Sequence, residues 1–142
     1  MRARVLFMLG VLWAATLAAP RAGAADQKAE EAATARAEAW LALVDQGKYA
    51  ESWDAAAALF KASLTKENWT QALTAARSPL GKLVSRTLKS RQYAASLPGA
   101  PDGKYVVIQY DSVFENKKGA VETVTPMLDP DGTWRVSGYF IK

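Results

Sequence analysis

The chain has no cysteine and no histidine among its 142 residues. Without cysteine there is no disulfide, no thiol chemistry and no lipidated cysteine to act as an anchor. Without histidine, zinc sites of the common kind and Ser–His or His general-base mechanisms are excluded. Any reaction would have to run on carboxylates, tyrosine, lysine or serine. Oxygen ligands for calcium are scarce too: Asp129 and Asp131 are too few, and a turn explains both. No metal and no cofactor is expected.

Long apolar runs are equally scarce. The single one, Val5 to Ala19, follows Arg2 and Arg4 and ends at Pro20, Arg21 and the small-residue pattern Ala22-Gly23-Ala24. A charged start, an apolar stretch too short to span a bilayer comfortably and an A-x-A site describe a cleavable export signal over residues 1–24. Cleavage is expected between Ala24 and Ala25. Residues 25–142 then make one domain, periplasmic or secreted, with no membrane attachment after cleavage. The leader holds three of the 18 basic residues, Arg2, Arg4 and Arg21, which leaves 15 against 14 acidic ones. The mature domain is near neutral, so nucleic acid is not an expected partner.

Helical signals fill the first half of that domain. Ala25 to Gln46 carries Ala29, Ala33, Trp40, Leu41 and Val44 on one stripe, with Asp26 as cap and Gly47 just past the end. Tyr49, Trp53, Ala56, Ala57 and Phe60 predict a second amphipathic helix after a very short turn. Thr65 caps a third, with Leu64 and Trp69 as a hydrophobic staple, and Ser78-Pro79-Leu80-Gly81 stops it. Each helix bears one tryptophan, read as a core anchor.

The second half reads as strands. Leu83 to Leu97 is a first strand of open register, made basic by Lys82, Arg86, Lys89 and Arg91. Those cations suit a solvated edge, or alternatively an anion-binding rim. Tyr105 to Lys142 reads as three strands joined by the turns Asn116-Lys117-Lys118-Gly119 and Asp129-Pro130-Asp131-Gly132, each closed by glycine through a bulge. That spacing pairs Asn116 with Ala120, Phe114 with Glu122, Leu128 with Trp134, Val124 with Gly138 and Glu122 with Phe140. Pro126 is the point where a bulge would flip the residues beyond it. The expected fold is α+β: three N-terminal helices on one face of a curved four-stranded antiparallel sheet, forming a cone whose open end can hold a ligand.

Several stretches carry a resemblance. Trp40 to Tyr49 followed by Ser52-Trp53 is similar to the opening helices of the nuclear-transport-factor-2-like (cystatin-like) superfamily. Pro79-Leu80-Gly81, Leu97 to Gly103, Tyr105 to Tyr110, Val121 to Thr125 and Trp134 to Tyr139 resemble the exported bacterial domain-of-unknown-function family numbered 4019. The resemblance covers nearly all of the mature chain. It implies the cone-type fold and no assigned activity, since the superfamily holds both enzymes and non-catalytic binding modules.

The candidate site follows from the pairing. Glu122 falls on the apolar face between Phe114 and Phe140, with Ser112 diagonal and Tyr110 on the same face. Desolvation between aromatic rings is one way a carboxylate is tuned for acid/base work, so Glu122 and Tyr110 are the catalytic candidates. Tyr110, Ser112, Phe114, Glu122 and Phe140 are the candidates for holding a small apolar ligand. The alternative is structural, with Glu122 paired to Lys142 or bonded to a helix end. The outer sheet face, with Val113, Thr123, Tyr139 and Ile141, is apolar enough to expect a homodimer or a partner protein there. A non-enzymatic binding or interaction module is the leading expectation, and a small enzyme using Glu122 and Tyr110 the alternative.

Overall fold

The structure is a computed structural model that describes residues 23–142. The expected export signal lies outside the described residues, apart from its last two positions. The described elements are α1 (Ala24–Asp45), α2 (Tyr49–Asp54), α3 (Ala58–Ser63), α4 (Lys66–Arg77), a 3-10 turn (Ser78–Leu80), β1 (Leu83–Ala94), β2 (Tyr105–Phe114), β3 (Lys117–Leu128) and β4 (Trp134–Ile141). The strands form one antiparallel sheet in the order β1-β2-β3-β4. The fold is α+β, as expected.

Helix α1 lies across the sheet and touches all four strands. Its buried residues Ala33, Ala37, Trp40, Leu41 and Val44 repeat at helical spacing, so one stripe faces the core. Gly23 rather than Asp26 stands at its N-cap, without a side-chain cap bond. Asp26 instead sits in the first turn, where a carboxylate suits the helix dipole. Gly47 takes the left-handed conformation past the end, at φ 75°.

The second predicted helix is two short ones. Between them the chain leaves the helix so that Ala57 N–H can donate to Val136 O of β4 at 2.8 Å. Ala56 and Ala57 are fully buried there, and only small side chains allow backbone and sheet edge to approach so closely. Helix α4 begins as its sequence predicts, with Thr65 Oγ1 accepting from Asn68 N–H. The three helical tryptophans are core anchors, and each indole N–H has a partner: Ser52 O for Trp40, Leu64 O for Trp53 and Ser52 Oγ for Trp69. Trp69 also meets Phe60 edge-on at 4.8 Å.

The register differs from expectation in two ways, with different consequences. The first hairpin turns at Glu115-Asn116, so that Phe114 faces Lys117, Ser112 faces Ala120 and Tyr110 faces Glu122. Glu115 and Asn116 donate their backbone N–H groups to Lys82 O and Leu80 O, which draws the turn tight against the end of the 3-10 turn. Gly119 lies inside β3 at a register shift instead of closing the turn. The offset is even, so no side chain changes face: Tyr110, Ser112, Phe114, Glu122 and Val124 all stay inside.

The second hairpin matches its prediction at the turn. Leu128 faces Trp134, Asp129 N–H donates to Thr133 O, and Gly132 sits at φ 80°. At Pro126 an extra residue enters β4, so Thr125 faces Gly138, Val124 faces Tyr139 and Glu122 faces Ile141. Ser137 is the extra residue, a β-bulge opposite the Thr125–Pro126 step, while the N–H that Pro126 lacks falls on its β2 side. One residue of slip is odd, so Tyr139 and Ile141 turn inward and Phe140 turns out, to 57% exposure. Tyr139 and Ile141 are therefore not on the outer face, and Phe140 does not line the interior.

Candidate functional site

Glu122 stands in the middle of β3 and is 0% exposed. A buried carboxylate is costly unless its oxygens are fully bonded, and these are. Arg86 Nε donates to Oε1 at 2.7 Å, and Arg86 Nη2 donates to Oε2 at 3.2 Å. Ser112 Oγ donates to Oε1 at 2.5 Å, and Tyr139 Oη donates to Oε2. The cation that meets Glu122 is Arg86, from the basic edge strand. Lys142, the partner considered from sequence, instead exchanges backbone bonds with Val121.

Arg86 also holds a second acid. Its Nη1 and Nη2 donate to Asp45 Oδ2 and Oδ1 at 2.8 and 3.0 Å, and Arg77 Nη2 donates to Asp45 Oδ1 at 2.9 Å. Asp45 is the last residue of α1 and Arg77 the last of α4, so two helix ends are tied to all four strands through one cluster. Two guanidinium groups face two carboxylates, and the cluster is charge-balanced. Arg77 is 5% exposed and lies over the Phe114 ring at 4.8 Å, with Nε and Nη1 lacking a protein partner.

The cluster shifts its members. Burial disfavours the charged Asp45 carboxylate, but its bonds to Arg86 and Arg77 outweigh burial and hold its pKa below the ordinary value. Burial likewise works against the Arg86 cation, and the bonds to Asp45 and Glu122 win, raising its pKa. Tyr139 is pushed up by burial first and then by the Glu122 charge beside it. Tyr110 is pushed up to about 12, by burial first and then by the charge of Glu38.

The expected residues are thus only partly assembled. Glu122 and Ser112 meet directly. Tyr110 is opposite Glu122 in the ladder, yet its Oη is buried without a partner and makes no bond to the acid. Phe114 is buried under Arg77, and Phe140 lies on the other face. Sequence reasoning missed Asp45, Arg77, Arg86 and Tyr139. A usable signal existed: an inward acid needs a cation, and Arg86 was available on the basic first strand, where it faces Ser112 across the ladder.

An open slot of about 240 Å³ lies between α4 and β4, walled by Trp69, Ala72, Leu73 and Ala76 on one side and Tyr139, Phe140 and Ile141 on the other. A groove of similar volume separates α1 from the start of β4, beside Trp40 and Trp134. Among the described residues no group of three or more acids could hold a metal ion, and no helix is long and apolar enough to cross a membrane.

Fold and site together define an α+β domain whose sheet-facing acid is sealed into a balanced ion-pair cluster beneath its helices. The chain belongs to the family described as "Protein of unknown function (DUF4019)", whose model matches residues 36–139. That span contains every member of the cluster. No curated protein and no solved structure matches the chain.

Proposed function

We propose that this protein is a non-catalytic binding or interaction module, exported to the periplasm or beyond after removal of residues 1–24. The observation that carries the reading is the state of Glu122. Both of its oxygens are already engaged by Arg86, Ser112 and Tyr139, and its surface is closed to solvent. A general acid or base must reach a substrate proton, and this group is spent on holding elements together. The cone-type architecture of the nuclear-transport-factor-2-like superfamily fits a single sheet covered on one face by helices, the second helix being counted with its break. Small apolar ligands or a partner protein suit the uncharged slot beside β4, and self-association suits the outer face around Val113, Thr123 and the exposed Phe140.

The alternative, an enzyme using Glu122 with Tyr110, has one observation in its favour: the Tyr110 hydroxyl is buried and unbonded. A hydroxyl near pKa 12 is a poor proton donor at neutral pH, so the binding reading is preferred. Native mass spectrometry of protein recovered from the periplasm tests it, reporting bound ligand and subunit count together. N-terminal sequencing should begin at Ala25. An intact Met1 on protein found only in the cytoplasm would sink the export half of the proposal.

A further inference from the structure

Strand β4 is an edge strand, and its last residues have an unused side. Val121 and Lys142 exchange both backbone bonds, so by the antiparallel alternation Phe140 faces β3 while Tyr139 and Ile141 point their N–H and C=O groups away from the sheet. Among the described residues nothing bonds those groups, whereas the equivalent carbonyl of Val136, before the bulge, accepts from Ala57 N–H. The opposite edge is guarded. Lys82 stands just before β1, which carries Lys89 and Arg91 and two register shifts, the devices that keep an edge from pairing. The stretch Gly138 to Ile141 has no charge and no proline.

The slot against α4 runs along this same open edge, and every residue that walls it is uncharged. In the second half of β4 the residues with outward backbone groups, Tyr139 and Ile141, line the slot together with Phe140. A strand added to β4 would place the residues opposite Tyr139 and Ile141 on the slot side. Ala72 and Ala76, one helical turn apart, leave room for them.

We propose that the β4 edge and the α4 slot form a docking site for an extended peptide segment with uncharged, apolar side chains at alternate positions. Backbone pairing to Tyr139 and Ile141 supplies the main-chain bonds, and the slot selects side chains. The occupant is a peptide because only a peptide backbone offers donors and acceptors at the two-residue repeat of a strand. This site lies on the sheet edge and adjoins the outer face at Phe140. It rests on the reading of the domain as a non-catalytic interaction module.

The test uses the full chain and a short capped peptide alternating leucine and threonine, read by amide exchange and by Trp69 fluorescence. The expected result is at least tenfold slower exchange at Tyr139 and Ile141 on saturation. The same peptide N-methylated on the amides that face the edge should lose binding at least tenfold. So should Ala76→Trp, which fills the slot, and Ile141→Pro, which removes one outward donor without touching the ladder to β3. Two variants are used so that one failing to fold leaves the other decisive. Equal binding of the N-methylated peptide would overturn the proposal, as would amides at Tyr139 and Ile141 already protected in the free protein. Protection that rises with protein concentration would assign the edge to a second copy and overturn it as well. If the recovered peptide has been cleaved, the non-catalytic reading fails while the edge site stands. If it is intact and no protection is seen, only the edge site fails.

Discussion

Replacing Glu122 by glutamine probes the buried cluster most directly. The substitution keeps the shape and removes one charge. Ser112 and Tyr139 can adapt, because a hydroxyl both donates and accepts. Arg86 cannot. It donates to both carboxylate oxygens, so one of its N–H groups would meet the new amide NH2, donor against donor. The lost charge-assisted bond is worth about 1.5–3 kcal/mol, and breaking a buried pair costs about 3–5 kcal/mol when the remaining charge has no other partner. Arg86 keeps Asp45 and is 13% exposed, so the lower part of that range applies, about 3 kcal/mol. For a domain of this size that is a fall of roughly 10–15 °C in Tm. Urea and thermal unfolding of the protein give the number. Arg86→Met alone should be worse, since it leaves Glu122 sealed without a cation, and adding Glu122→Leu to it should restore part of the loss. A Glu122→Gln variant within about 1 kcal/mol of the parent would refute the argument, because an unpaired buried donor could not be that cheap.

Acid and alkali should act on different members of the cluster. Asp45 has a folded pKa below its ordinary value of 3.8, so its contribution is present above that value and lost as pH falls through the folded one; Asp45→Asn should flatten the loss of stability below about pH 4. Tyr110 and Tyr139 are raised above their ordinary 10.0, so their contribution is complete below pH 10 and is lost as pH rises toward their folded values, giving alkaline unfolding that a pH-resolved urea titration would detect. Tyr110→Phe should cost less than about 1 kcal/mol at neutral pH, or stabilise, because it removes an unpartnered buried hydroxyl; a loss of several kcal/mol would show a hidden partner. Thr65→Ala should cost about 1 kcal/mol through the α4 cap, read by thermal melting. Phe140→Lys should leave stability unchanged, and if the outer face self-associates it should lower the sedimentation coefficient of the protein.

What was legible in the sequence was whatever local chemistry decides. Thr65 and Gly47 mark helix ends through their own bonding and backbone freedom, and Asp129-Pro130-Asp131-Gly132 closes its turn as written. The inner set on β2 and β3 was also readable, because a register error of even size leaves every side chain on its face. Two kinds of feature were not legible. The break at Ala55 to Ala57 is decided by a bond to Val136, nearly eighty residues away in sequence, which no periodicity reports. The inward turn of Arg86 is decided by the acids waiting for it, Asp45 and Glu122, on elements far apart in the chain. A long basic side chain on an edge strand reads as solvated, and only the assembled cluster shows it spent.

The bulge at Ser137 connects the structural site to the proposed docking edge. It adds one residue to β4 opposite the Thr125–Pro126 step, and that single slip carries Tyr139 from the outer face to the carboxylate of Glu122. The same slip moves Ile141 inward and leaves the backbone groups of both residues directed off the sheet. Had the strand run without it, Gly138 and Phe140 would have occupied those places, with a glycine at the acid and no hydroxyl to bond it. Glu122 would then lack a donor on Oε2 besides Arg86. The buried acid and the open edge are therefore two outcomes of one inserted residue, Ser137, so its deletion would act on the cluster and on the slot together.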